Sequence, residues 1–274
     1  MEEEKEITWL SCYIYDDVSL DSLLAGKVRP LVDEVLQKGW AKQFFFIRYL
    51  DRKGKHVRLR FKGEQQIFES MLEPLLQKTF IEIRFVSYRP EVARYGGHVG
   101  VVTAEQLFEA SSAVVLSFLD EQHGVSYGKS LGFALQMNVG TAHALGMSKA
   151  EVINFFSQLA VGVDTAEAKC YFAEQREALA PALINMWHRL DAGLAFDKPW
   201  FNAYLKKVWE TRKVIQRTYD TGELHPPVPT HSYQAHPLWL IYASYMHMNN
   251  NRNGINFMNE SYLAYVISKS LATI

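Results

Sequence analysis

Cysteine is nearly absent from this chain: Cys12 and Cys170 are the only two in 274 residues, far apart and outside any Cys-x-x-Cys spacing. A disulfide scaffold and a cysteine zinc site are thereby excluded, and a reducing compartment fits. Charge of one sign is not in excess either. Lys and Arg number 29 against 30 Asp and Glu, a formal charge of −1, so no global positive field draws nucleic acid or an anionic membrane. Any anion must be recognised locally. The chain opens Met1-Glu2-Glu3-Glu4-Lys5-Glu6, the opposite of a basic signal-peptide start, and no apolar run approaches about 18 residues. The expectation is a cytoplasmic protein with no membrane contact and no direct nucleic-acid binding. Common catalytic motifs are missing as well: there is no GxSxG elbow and no HExxH, and Gly96-Gly97-His98-Val99-Gly100 lacks both the P-loop lysine and the GxGxxG spacing. No cofactor or metal is implied.

What is present is a folding sequence. Hydrophobic residues make up 48%, aromatics 13% and charged residues 22%, which excludes a disordered or low-complexity chain. The length calls for one large or two intimately packed domains. The first ninety residues switch period repeatedly. Ile7 to Tyr15 reads as a strand, and Leu20 to Lys38 reads as a helix stopped by Gly39. Pro30 conflicts with that helix and either splits it or moves its start to about Arg29. Residues 44–50 and 55–62 form two strands joined by a short glycine-containing turn, an antiparallel hairpin. A helix over 64–78 and a strand over 81–88 complete a β-α-β-β-α-β order. From Thr103 onward helical periodicity dominates, over roughly 103–123, 128–145, 148–163, 171–192, 198–219, 237–249 and 257–272. The fold class is α+β: a ferredoxin-like unit over 1–100 packed on a mostly helical half over 101–274, the two sharing one core.

Three constellations carry chemistry. In the third strand His56, Arg58 and Arg60 alternate with Val57, Leu59 and Phe61, so the basic groups share one sheet face and the apolar groups the other. A solvated face explains alternation equally well, but two same-face arginines repel unless acids or a ligand intervene, and guanidinium forks suit carboxylate or phosphate. After the fourth strand, Tyr88-Arg89-Pro90-Glu91-Val92-Ala93-Arg94-Tyr95-Gly96-Gly97 reads as a tight turn in which Glu91 and Arg94 can pair at a spacing of three. On these residues alone, a surface loop with a salt bridge is the simpler reading. Near the end, His247 stands one helical turn from Asn251 in an Asn/Arg cluster that runs into Asn253-Gly254. A lone histidine is more often a satisfied core group than a catalyst, but this one is titratable near neutrality and surrounded by donors. His56, Tyr95, Asn251 and Arg252 on these segments, with Arg84 of the fourth strand, are candidates for holding substrate. His225, His231 and His236 flank a proline-rich connection at spacings that match no metal pattern, and read as loop residues.

Four segments together resemble the C-terminal domain of class I lantibiotic dehydratases, also known as a standalone protein of thiopeptide-type bacteriocin biosynthesis. They are a strand with Trp9; Arg48-Tyr49 followed by His56-Val57-Arg58-Leu59-Arg60-Phe61; the segment from Tyr88 to Gly97; and His247-Met248-Asn249-Asn250-Asn251-Arg252 leading to Glu260. The resemblance spans nearly the whole chain. It departs from the family pattern at Asn253, where an apolar residue is common. In that family an N-terminal region glutamylates Ser or Thr of a ribosomal peptide using glutamyl-tRNA, and the C-terminal domain eliminates glutamate to leave a dehydroamino acid. The resemblance implies a lyase working without cofactor on a precursor peptide, beside a separate glutamyl-tRNA-dependent glutamylating enzyme. It implies Arg58 or Arg60 together with Arg94 as the elimination arginines, Glu91 as an acidic group near Arg94, and His247 as acid or base, all lining one cleft. Two alternatives stand beside it: a [4+2] cycloaddition pyridine synthase of thiopeptide biosynthesis, and a non-catalytic peptide-binding partner.

Overall fold

A computed structural model describes residues 6–122, 126–160, 166–228 and 236–273. The fold is α+β, and it divides into two compact units, Met1–Pro90 with Phe108–Val125, and Glu91–Leu107 with Ser126–Ile274.

The first unit is built on one sheet. Strands β1 (Ile7–Tyr15), β2 (Gln43–Asp51), β3 (Gly54–Glu64) and β4 (Glu82–Phe85) lie in the order β2-β3-β1-β4, and every neighbouring pair is antiparallel. The hairpin between β2 and β3 closes where Asp51 Oδ1 accepts from the amides of Lys53 and Gly54, with Gly54 at a φ of 137° that other residues rarely adopt. The fourth strand is shorter than its 81–88 apolar pattern, because it pairs only with Cys12 to Tyr15 of β1. Helix α1 over 20–37 continues past Pro30, and its longer regular stretch begins at Arg29, the start that the proline suggested. Its Leu24–Val28 turn is π-wound, and the wider turn gives the proline ring room against the carbonyl it would otherwise strike. Helix α2 over 65–79 repeats the device, with a π-turn at Phe68–Leu72 just before Pro74.

These helices cover the apolar sheet face. Val57, Leu59 and Phe61 are fully buried together with Ile14, Leu23, Leu24, Val28, Leu72 and Leu76, each such side chain contributing roughly 1.5–3 kcal/mol relative to exposure. Arg48 on that face pairs with Asp21 of α1 at 2.6 Å. The free edge of β2 is met by helix α3 (His98–Gln122), whose Ser112 Oγ accepts from the Phe46 amide at 3.1 Å. Among the described residues α3 is the one helix long and apolar enough to cross a membrane, and 67% of its apolar window is buried within the protein.

The second unit is helical. After a 3-10 turn at Val92–Tyr95 and the first part of α3, it comprises α4 (Tyr127–Ala144), α5 (Lys149–Leu159), α6 (Ala166–Asp191), α7 (Pro199–Asp220), α8 (Trp239–Arg252) and α9 (Phe257–Leu271). Helix α9 packs on α5 and α6, and α4 packs on α6, α7 and α8. The starts follow from capping: Ser126, Ser148 and Asn256 each accept an amide of the first turn, and Ser148 with Glu151 forms a capping box. The connection after α7 is irregular at Pro226 and Pro227, as their side chains require.

Candidate active site

In the first unit the basic row of β3 is neither solvated nor empty. It is interleaved with aromatic rings from the neighbouring strands. The Arg58 guanidinium lies 4.4 Å from the Tyr13 ring centroid and 3.3 Å from that of Tyr49. Arg60 lies 5.0 Å from Phe45 and 4.6 Å from Tyr88, and Lys62 lies 5.5 Å from Trp9. Cation–π contact supplies the negative potential that lets two same-face arginines coexist. The register explains the pattern, since Tyr13 faces Arg58 and Trp9 faces Lys62 across β1 and β3, while Phe45 faces Arg60 across β2 and β3.

His56 is fully buried among the rings of Tyr13, Tyr15 and Tyr49. Burial pushes its pKa down, so the neutral ring is favoured. Its Nε2 accepts from Arg58 Nε at 3.2 Å, which leaves Nδ1 to donate to the Gly54 carbonyl at 3.2 Å. His56 is therefore an acceptor that orients Arg58. Arg60 differs: burial pushes its pKa down as well, and its buried Nε has no hydrogen-bond partner among the described residues. Ser11, opposite Arg60 on β1, is likewise buried with an unpartnered hydroxyl. Arg84 is exposed on β4 beside Tyr13.

In the second unit a cleft of about 440 Å³ opens between α8, the start of α9, α4, α5 and the 3-10 turn. Leu240, Ala243, Ser244, His247 and Asn250 supply one wall, spaced three and four apart on one face of α8; Phe257, Glu260, Ser261 and Ala264 do the same from α9. His247 is half-exposed, and its Nδ1 faces both oxygens of Glu260 at 3.1 and 3.0 Å. A carboxylate can only accept, so Nδ1 carries the proton and Nε2 is left to exchange one with a ligand. Arg94 enters from the 3-10 turn. Its Nε donates to Ser244 Oγ at 3.0 Å and its Nη1 to Glu91 Oε2 at 3.0 Å.

The Arg94 turn is held by its backbone. Gly96 is left-handed at a φ of 82°, and its carbonyl accepts from the His225 amide at 2.8 Å. Gly100 lies where a Cβ would run into the Tyr95 carbonyl. Tyr95 is buried and stacked on Tyr245 at 5.8 Å, and burial pushes its phenol up to about 12.

The asparagine run has a structural task. Asn138 donates to Asn250 Oδ1 at 2.9 Å, and Asn249 donates to Tyr204 at 2.9 Å and to Thr141 at 3.2 Å. Asn253, the departure from the family pattern, caps α8 and donates to the Asn249 carbonyl at 2.9 Å. Arg252 is fully buried, with Nη1 on the Met248 carbonyl at 3.1 Å, whereas Asn251 is half-buried. His225 is exposed, the Nδ1 of His236 accepts the Leu238 amide, and His231 lies outside the described residues.

A family model for the C-terminal part of the lantibiotic biosynthesis dehydratases matches residues 9–271. The chain belongs to that family. It is 33% identical over 116 residues to the subtilin biosynthesis protein SpaB of Bacillus subtilis, an alignment that takes in 39% of this chain and 11% of SpaB. Its fold is similar to that of the tRNA-dependent lantibiotic dehydratase MibB from Microbispora sp. 107891, with a TM-score of 0.66 at 20% identity, over 96% of this chain and 28% of MibB. It thus spans only a small part of the length of both SpaB and MibB. The pyridine synthase TbtD from thiomuracin biosynthesis is similar end to end, with a TM-score of 0.78 at 16% identity over 99% of each chain. At these identities the solved structures establish the fold alone.

Within this lantibiotic dehydratase C-terminal fold, sequence reasoning named His247, Arg94 and Glu91 but gave no role to the two groups that hold them. Glu260 carried a signal, since it closes the motif that begins at His247. Ser244 carried only its place one turn before His247.

Proposed function

We propose that this protein eliminates glutamate from a glutamylated Ser or Thr of a ribosomally made precursor peptide, leaving dehydroalanine or dehydrobutyrine. The observation that carries the reading is the second unit's cleft, where an imidazole fixed by a carboxylate and a guanidinium fixed by a hydroxyl line the same space. His247 Nε2 removes the α-proton, Glu260 keeping the ring in the tautomer that can accept it. The Cα–H electron pair becomes the Cα=Cβ bond, the Cβ–O bond breaks, and the ester carboxyl departs as a carboxylate. Arg94 receives that carboxylate, its charge matched to the charge that develops. Glu91 lies beside Arg94 as its acidic partner. On the sheet of the first unit, Arg58 gives its Nε to His56 and the buried Nε of Arg60 has no partner among the described residues. The glutamylated peptide is the product of a glutamyl-tRNA-dependent glutamylating activity.

The test is mass spectrometry of a glutamylated peptide incubated with the purified protein alone. Loss of glutamate without tRNA, ATP or added metal is expected, because the leaving group is already installed. His247→Ala should slow it by roughly 10²–10⁴, the usual contribution of a positioned acid or base, and the glutamylated peptide should accumulate.

A second reading has its own support in the end-to-end similarity to TbtD. A protein that leaves glutamylated peptide untouched but joins two dehydroalanines into a six-membered ring would be a pyridine synthase. One that binds peptide and converts neither would be a non-catalytic partner.

A further inference from the structure

Ser244 is 8% exposed. Its hydroxyl donates to the Leu240 carbonyl at 3.0 Å, which commits its hydrogen to the backbone and turns a lone pair toward the cleft. That lone pair accepts from Arg94 Nε at 3.0 Å. A serine bonding back along its own helix is ordinary and explains the first contact. It does not explain the second, which reaches a residue 150 positions earlier in the chain. The other bond of Arg94, to Glu91, involves a side chain that is 64% exposed, and exposed ion pairs hold little. The hydroxyl is the firmer of the two anchors. Leu240, Ser244 and His247 fall on one face of α8 at i, i+4 and i+7, so a single rigid element carries both the imidazole and the oxygen that holds the guanidinium.

We infer that Ser244 is a positioning residue: by taking the Nε of Arg94, while Nη1 meets Glu91, it sets the guanidinium in register with His247 and leaves Nη2 for a carboxylate. Loss of the hydroxyl leaves Arg94 present but unaimed, and the penalty falls on turnover rather than on binding of the remaining peptide.

Two measurements test this. The first needs no activity. In a proton–nitrogen NMR spectrum of the arginine Nε groups, the Arg94 signal is assigned by its absence in Arg94→Lys. It should be present in the wild type and in Ser244→Thr, and broadened away or exchanging about tenfold faster with water in Ser244→Ala. Ser244→Cys, of similar volume with a weak acceptor, gives an intermediate result and serves if the alanine variant does not fold. An Arg94 signal unchanged in both variants overturns the inference.

The second measurement rests on the proposed glutamate elimination. Ser244→Ala should lower kcat about tenfold, the scale of one hydrogen bond to a charged group, with KM little changed and Ser244→Thr restoring most of the rate. In an Arg94→Ala background the same substitution should cost nothing more. Equal losses in both backgrounds would make Ser244 a packing residue and overturn the inference. If the wild type converts no glutamylated peptide, the functional reading fails, and the NMR experiment still decides the role of Ser244.

Discussion

His56 is the residue through which pH reaches the sheet. It is enclosed by Tyr13 and Tyr15 of β1, Tyr49 and Asp51 of β2, and Gly54 and Arg58 of its own strand. Its depressed pKa comes chiefly from burial; Arg58 lowers it further, while Asp51 and the Gly54 carbonyl oppose the shift. In the unfolded chain the ring titrates near 6.5. As pH falls through about 6.5 toward the lower folded value, the unfolded chain takes up the proton first, so stability is full above that pH and drains away below it. Protonation would also present a second cation to Arg58 Nε. Urea midpoints at pH 7.5 and 5.5 should fall more for the wild type than for His56→Gln, which keeps an acceptor but does not titrate. Equal falls would show that His56 is not the group responsible. At the same scale, if the proposed elimination holds, Glu260→Gln should slow it by about tenfold or more, since a misheld imidazole forfeits part of the acid–base contribution.

Elements decide where these groups stand. The 3-10 turn that presents Arg94 depends on a close approach between the start of α3 and the Tyr95 carbonyl, possible because position 100 has no side chain. Gly100→Ala should therefore destabilise by about 1–3 kcal/mol, the usual cost of forcing a methyl into filled space, and should lower turnover by displacing Arg94. Gly132→Ala is the control. It lies inside α4 with open space at its Cβ position, and the exchange should stabilise by about 0.5–1 kcal/mol through the lost backbone entropy of glycine. Thermal melts of the two variants should move in opposite directions. Helices α1 and α2 show the same interplay of backbone and side chain: each carries a proline past its midpoint, at Pro30 and Pro74, and each absorbs it with a π-turn just before. Apolar periodicity located both helices to within a residue or two, but it says nothing of how a turn widens, since the side-chain spacing is almost the same.

At the scale of the whole molecule, a net charge of −1 supplies no global field for an anion, so any anionic group must be met by local cations, and each unit holds some: Arg58 and Arg60 on the sheet of the first, Arg94 in the cleft of the second. If both units serve one reaction, Arg60→Ala and Arg94→Ala should each leave glutamylated peptide unconverted, with losses of up to about 2–5 kcal/mol if the contacts are desolvated. Lysine at either position should rescue only in part, because it lacks the planar fork. Full activity in Arg60→Ala would confine the chemistry to the helical unit. The α+β class, the hairpin, the helical second half and the segments that bear His247, Arg94 and the strand arginines were legible in the sequence, because period, turn residues and capping act over a few positions and leave their mark locally. The partners were not. That His56 is buried and neutral, that aromatic rings separate the arginines, that Glu260 grips His247 and Ser244 grips Arg94, and that Asn249, Asn250 and Asn253 form a buried network were settled only when distant segments met. Hydrogen bonds and burial join residues by position in space, and the sequence by itself records no such distance.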